Sequence, residues 1–310
     1  MKLFLAFFYF TLSGIAIHAQ HVSFTKKSAS SLVNGTHLIL LGTGTPFADP
    51  KKSGPSLAIV VNNTSYIIDC GPGVVRRAAE AKELGFPSLE SAQLKKLFIT
   101  HLHSDHTTGL ADMIFTPAVL DRNAPIYIYG PPGVKNMTQH LLKAYKEDIQ
   151  VRVNGLEKGD AIAYKVNVKE IKEGIIYKDS NIQVTAFKVN HGNWKYAFGY
   201  VFKTADKKIV ISGDCTYSEN LVKYAKDCDI LVHEVYSVAG LKKRTKRWQD
   251  YHSTFHTSTY QLAEIANKVK PKLLILNHQL GFGMSLESMM EELKSKYNGA
   301  VANGADLDVY

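Results

Sequence analysis

The segment FITHLHSDHTTGL (98–110) concentrates the residues most able to do chemistry. His101, His103, Asp105 and His106 fall within six positions, just after an apolar run. Three imidazoles and one carboxylate at that density can hold two divalent ions. Alternation puts His101 and His103 on one side, near one metal, while Asp105 and His106 turn toward the other. Imidazole with carboxylate suits zinc, with manganese or iron as alternatives. A lone histidine is usually structural, but four donors spaced H-x-H-x-D-H after an apolar strand are rarely accidental.

Alternating strands and helices must position this cluster. HLILLGTGTP (37–46) predicts a strand running into a Gly/Pro turn. SLAIVVNN and SYIIDCG predict a hairpin about Asn62 and Asn63. VVRRAAEAKELG predicts a helix ending at Gly85, and KKLFIT a buried strand leading into the histidines. PIYIYG reads as a strand, and Gly133 to about Lys146 as a helix. NIQVTAFKV leads to His191, the hairpin FGYVFKTADKKIVISGD to Asp214, and DILVHEVY to a further strand. Thr257 to Lys268 reads as a helix, KLLILNH as a buried strand, SLESMMEELKSKY as a last helix and ADLDVY as a terminal strand. The pattern predicts two sheets packed face to face with helices outside, a four-layer αββα sandwich. No linker divides it, so 21–310 is expected to form one domain.

H-x-H-x-D-H is the signature of the metallo-β-lactamase superfamily. The resemblance extends over about 37–310. LGTGTP, DCGPG, NHGNWKYAFGYVF, ISGD, LVHEVY, FHTST and LILNH resemble the ribonuclease Z and arylsulfatase-like branch. It implies His101, His103, His191 and Asp214 at one of two Zn2+ ions, and Asp105, His106, His278 and Asp214 at the other. Taken singly, His191 and His278 read equally well as core histidines, and Asp214 as a turn residue. A bridging Asp214 argues for the dinuclear esterase or phosphodiesterase side. Residue 215 is Cys where the branch often has Thr.

Two bound ions lower the pKa of a water toward neutrality. Asp105 is then the proton acceptor beside the nucleophile. His256, in FHTST, resembles the histidine of an HST motif that contacts the scissile phosphate or leaving group. His252, in YHSTF, competes for that role, but a helix is predicted to open just after His256. Glu234 matches the HEAT-like segment and is expected to orient His256, with His233 structural. Asp69 matches a structural Asp below the metal loop, supported by Thr100 and Gly213.

The resemblance also bears on the substrate. Ribonucleases Z carry a long arm that grips tRNA, in bacterial forms inserted between the third and fourth motifs. Here His191 and Asp214 are only 23 positions apart, room for a hairpin and no arm. GPGVVRRAAEA, HSDHTTGLADMIFTPAV and HEVYSVAGL look closer to the arylsulfatase-like subgroup of exported proteins. The resemblance thus implies a hydrolase of small sulfate or phosphate esters. A ribonuclease Z-like phosphodiesterase or endonuclease, and a lactone or carboxylic ester hydrolase, stay open. The stretch 111–175 is expected to shape the pocket, with Tyr127, Tyr129, Phe115 and Trp194 as candidate walls.

Bulk properties frame these expectations. The 310 residues carry a net charge of +9; without Lys2 it is +8. The excess suits an anionic substrate, yet KKRTKRW (242–248) is the one basic run and reads as a solvated loop. A small-molecule ester is therefore the expected partner and nucleic acid is disfavoured; a homodimer is left open. Lys2 followed by the apolar run Leu3 to Ile17 and small Ala19 is a signal-peptide pattern over 1–20. It predicts a secreted or periplasmic protein, with no membrane span in the mature chain. Cys70, Cys215 and Cys228 are an odd number, and free buried thiols are as well supported as one disulfide.

Overall fold

The computed structural model of the chain describes residues 34–310. The expected signal segment, 1–20, lies outside the described residues. The first half runs β1 (Thr36–Gly42), β2 (Ser56–Val61), β3 (Thr64–Ile68), α1 (Val74–Glu83), β4 (Lys96–Phe98), α2 (Ser104–Thr107), α3 (Leu110–Val119), β5 (Ile126–Gly130), α4 (Val134–Ala144), α5 (Lys146–Asn154) and β6 (Val166–Glu170). The second runs β7 (Gly174–Lys178), β8 (Gln183–Lys188), β9 (Phe198–Lys203), β10 (Lys208–Ile211), α6 (Glu219–Ala225), β11 (Ile230–Tyr236), α7 (Val238–Lys242), α8 (Lys246–Phe255), α9 (Thr259–Val269), β12 (Leu273–Leu280), α10 (Leu286–Lys294) and β13 (Val301–Asn303).

The strands form two sheets, β1 to β6 in sequence order and β13-β12-β11-β10-β9-β8-β7. In each, antiparallel strands give way to parallel ones, at β3–β4 and at β10–β11. Strand alternation sorts the apolar residues into three cores. Leu38, Leu40, Ile59 and Phe98 face Tyr200, Phe202, Ile211 and Val232 between the sheets. Ile39, Leu41, Val60 and Ile67 point the other way, under α1 and α3. Leu231, Leu274 and Leu276 pack beneath α9 and α10. This is the expected four-layer sandwich. No helix among the described residues is long and apolar enough to cross a membrane.

Several elements differ from the sequence expectation. ADLDVY is strand-like, as expected, but irregular: a turn at Asp306 and Leu307 interrupts its pairing with β1. The tail crosses from β13 to the edge of β1, where Leu38 and Tyr310 exchange backbone hydrogen bonds and Val309 makes a lone bridge to Ile39. Asp306 within it accepts from Thr43 and Ser53, bracing the turn after β1. The loop expected at 242–248 runs into a ten-residue helix, α8, and His256 lies at its C-terminal end. The next helix opens only at Thr259, with Ser258 and Gln261 forming a capping box.

A buried guanidinium holds α3 in place. Pro117 lies inside this helix and has no N–H for the Met113 carbonyl. Arg122, fully buried, donates to Met113 instead, and also to the carbonyls of Leu94, Ile114 and Ala163. Burial lowers its pKa to about 10. Arg122→Met would leave these carbonyls unpaired in the interior. We expect a loss of about 2–4 kcal/mol, read as a lower urea midpoint with an unchanged m-value.

Candidate metal centre

The predicted donors sit where strands end and the chain turns into one pocket. His101 to His106 follow β4 into α2, His191 lies between β8 and β9, and Asp214 follows β10. His278 is placed by a bulge. The β11–β12 pairing passes from Glu234–Asn277 to Val235–Gln279, leaving His278 as the extra residue at φ +44°. A bulge of this kind re-aims a side chain. Gly213, at φ +61°, delivers Asp214. A Cβ there would lie 2.8 Å from the Phe198 carbonyl oxygen, so the turn requires glycine.

These residues converge as two groups. Donor atoms of His101, His103, His191 and Asp214 lie within 4.8 Å of one another, as do those of Asp105, His106, Asp214 and His278. Asp214 belongs to both. His101, His106, His191, Asp214 and His278 are buried, and His103 and Asp105 are partly open to solvent.

The surrounding hydrogen bonds orient the imidazoles. His106 Nδ1 donates to Asp69 at 2.8 Å, and His191 Nδ1 to the Phe255 carbonyl at 2.8 Å. The Thr100 hydroxyl donates to Asp69 at 2.8 Å and so accepts from His101 Nδ1 at 3.0 Å. In each ring the Nδ1 proton is engaged and the Nε2 lone pair faces the pocket. His106 Nε2 is buried with no hydrogen-bond partner. His103 differs: its Nε2 accepts from Trp194 at 2.6 Å, so the neutral ring carries its proton on Nδ1, 3.1 Å from His101 Nε2 and 3.0 Å from His191 Nε2. The Nε2 atoms of His101, His106 and His191 converge beside the Asp214 carboxylate, an arrangement a divalent cation would stabilise, so this donor set fits metal.

The charge states divide the rings. Burial alone would lower His106 and His278, but Asp214, with Asp69 at His106 and Asp105 at His278, outweighs it and raises His106 well above, and His278 above, the ordinary imidazole value. Burial pushes His101 well down and His191 down to about 3, which keeps both neutral. Burial alone would raise Asp214, but His278 and His106 outweigh it and hold the carboxyl well below its ordinary range.

Glu234, His256 and His278 form a third convergent group. Glu234 Oε1 lies 3.3 Å from His256 Nδ1 and accepts from the backbone N–H groups of Thr257 and Cys215. Burial lowers His256 to about 4. His252 lies one turn earlier on α8, half-buried, and does not reach Glu234. Geometry therefore favours His256 over His252. His233 is fully buried, with Nδ1 against the Glu234 carbonyl. All three cysteines are buried and free.

The expected pocket walls need correction. Phe115 is buried beneath the first sheet, Tyr129 stacks on Phe98 at 5.0 Å, and Tyr127 lies exposed on β5. Only Trp194 of the four touches the cluster. The wall comes instead from α8, whose Phe255 ring lies 5.1 Å from His191. The helical spacing of aromatics in RWQDYHSTFH was the available signal.

Comparison with known proteins places this geometry. The family model described as "Anti-Pycsar protein Apyc1" matches residues 36–283. A ribonuclease Z of Mycolicibacterium gilvum is 30% identical over 246 residues, covering 77% of this chain and 82% of the relative. Among solved structures, the metallo-β-lactamase fold protein YhfI from Bacillus subtilis superposes with a TM-score of 0.69 at 14% identity, covering 89% of this chain and all of that one (100%). The short form of human tRNase Z gives 0.63 at 21% identity, covering 88% and 98%. The chain belongs to the Anti-Pycsar protein Apyc1 family, has the metallo-β-lactamase fold with ribonucleases Z as homologues, and is a metal-dependent hydrolase of ester bonds.

Proposed function

We propose that this protein is a dinuclear phosphodiesterase. One observation carries the reading: two donor groups share a single buried carboxylate, Asp214, with imidazole lone pairs aimed between them. His101, His103, His191 and Asp214 would hold one ion, and Asp105, His106, His278 and Asp214 the other. Zinc is the best match to this nitrogen-rich set. The curated relatives are ribonucleases Z, which moves the reading from an aryl sulfate to a phosphodiester. The interval from His191 to Asp214 holds only β9, β10 and a tight turn at 204–207, which favours a small phosphodiester over a gripped tRNA.

Bound ions of this kind lower the pKa of water and neutralise charge developing on phosphoryl oxygens. The chain's own residues do the rest. Asp105 lies 3.2 Å from His278 Nε2, and this contact with nearby His106 outweighs burial to keep it ionised, as a proton acceptor must be. Asp69 fixes the His106 and Thr100 orientations. Glu234, kept protonated by burial and the nearby Asp214, can donate to His256 Nδ1, so that the neutral imidazole carries its proton on Nε2 for the leaving oxygen.

Four tests follow from this assignment. Purified protein should contain two metal ions per chain by mass spectrometry and hydrolyse bis-p-nitrophenyl phosphate faster than p-nitrophenyl sulfate. Asp214→Ala should lose at least about 100-fold in kcat; full activity in this variant would sink the bridging role. Asp69→Asn keeps a side chain tolerant of the φ +57° found there. It should weaken metal retention by about 10–100-fold in competition with a chelator, with thermal unfolding of the metal-free protein little changed. His256→Ala should cost about 100- to 10,000-fold in kcat with a phenolate leaving group. The loss should shrink with p-nitrophenolate, which needs less protonation; equal losses would argue against proton donation by His256.

A further inference from the structure

The C-terminal tail approaches the metal centre without supplying a donor to it. The Asp306 side chain is only 8% exposed and draws hydrogen bonds from two segments far away in sequence. Oδ1 accepts from the Thr43 backbone and hydroxyl, each at 2.8 Å, and Oδ2 accepts from the Ser53 backbone at 2.7 Å. Arg77 of α1 lies 3.4 Å from Oδ2 and donates to Ser53 Oγ at 3.0 Å. Hydrogen bonds to a charged acceptor are stronger than neutral ones. With the Gly44 N–H donating to the Ser53 carbonyl at 2.8 Å, they close the neck of the 43–53 loop.

From that neck a stack of backbones leads to Asp105 and His106. Gly54 N–H donates to the Pro72 carbonyl at 2.9 Å, and Gly71 N–H to the Pro55 carbonyl at 3.0 Å. A Cβ on Gly71 would lie 2.4 Å from the Gly54 carbonyl carbon and 2.7 Å from the Asp105 carbonyl oxygen, so three segments meet here with no side chain between them. Cys70 N–H donates to the His106 carbonyl at 2.9 Å and Gly109 N–H to the Cys70 carbonyl at 2.8 Å, which clamps the turn carrying both donors. The tail reaches His278 from the other side. Gln279, the next residue, donates to the Gly304 carbonyl at 2.9 Å and accepts from Lys52 at 3.0 Å. The donors of the other group are held differently. His101 is oriented by Thr100, His191 by the Phe255 carbonyl, and the turn after Asp214 by a 2.8 Å bond from Thr216 N–H to Asn190.

We propose that Asp306 is a positioning residue for one of the two donor groups: it locks the 43–53 loop against Gly71 and so holds Asp105 and His106 in register with His278, while the group built on His101, His103 and His191 does not depend on it. This rests on the dinuclear reading.

The test is stepwise removal of zinc by a competing chelator from the full-length protein. His191→Ala and His278→Ala identify which of the two affinities belongs to which group. Asp306→Asn keeps the size of the side chain but turns one acceptor into a donor that faces Thr43 or Ser53. It should weaken the His278-dependent ion about 10-fold and leave the His191-dependent ion unchanged. Thr43→Val, a milder change in the same clasp, should weaken the same ion in the same direction. Arg122→Met, destabilised away from the clasp, should keep both affinities, which separates positioning from a general loss of stability. Equal weakening of both ions by Asp306→Asn, or of neither, would overturn the proposal. Hydrogen exchange in the metal-free protein provides an independent measurement. The amides of Gly54, Cys70, Gly71 and Gly109 should exchange about 5- to 10-fold faster in Asp306→Asn, and those of Trp194 and Thr216 at the parent rate. A parent protein that holds a single ion would sink the dinuclear reading instead. In that case the exchange rates still decide the clasp, and rates that change equally in both sets, or in neither, overturn it.

Discussion

Four carboxylates crowd one pocket, and none of them is paired with lysine or arginine among the described residues. Asp69, Asp214 and Glu234 are buried, and Asp105 is nearly so. Among the described residues their ion-pair partners are histidines. A buried carboxylate without compensation normally takes up a proton. Glu234 moves that way, because burial and the nearby Asp214 raise it well above its ordinary range. Asp214 moves the opposite way and stays ionised. The imidazoles meanwhile direct their Nδ1 protons outward, to Asp69, Thr100 and a backbone carbonyl. The pocket thus concentrates negative charge and lone pairs at its centre, and in the proposed reading bound dications balance both.

The backbone is arranged to produce that concentration. Asp69 adopts φ +57° and His278 φ +44°, conformations that non-glycine residues hold only when surrounding structure enforces them, at about 1–3 kcal/mol each. Asp69 is enforced by hydrogen bonds from Thr100 and His106, and His278 by the bulged pairing of β11 with β12. The first sheet delivers Asp69 and His101 to His106; the second delivers His191, Asp214, Glu234 and His278. Neither sheet holds a complete donor group, so the centre exists only while the apolar core between the sheets keeps them in register. Leu38, Phe98, Tyr200 and Val232 therefore support the site without touching it.

The sequence revealed best what depends on local pattern. Apolar runs ending at His101, Asp214 and His278 marked strand ends, and alternation in β1 and β2 marked residues facing two different cores. His101, His103, Asp105 and His106 were legible because four donors within six positions have few structural explanations. His191, Asp214 and His278 were not legible singly, since a core histidine or a turn aspartate looks the same in one dimension; they needed a family resemblance. ADLDVY alternates and does pair along the free edge of β1, though the turn at Asp306 and Leu307 keeps it from becoming a regular strand. KKRTKRW misled because charge density masked the helix that starts within it. The rings at 248, 251, 252 and 255 carry a helical period, but their burial is against histidines from distant segments rather than an apolar core.

That last feature ties α8 to the donor set. The C-terminus of α8 is fastened to the donor set through the Phe255 carbonyl, which accepts from His191 Nδ1, and through His256, which engages Glu234. Having no buried residue of its own, α8 gains much of its support from the ring contacts with His103, His191 and His278. Ligands that bind only the folded arrangement stabilise it by mass action. Ions that fix those histidines therefore stabilise the helix packed upon them, and the reverse holds by linkage. The α8 wall of the pocket is thus best formed when the donor set it packs against is loaded.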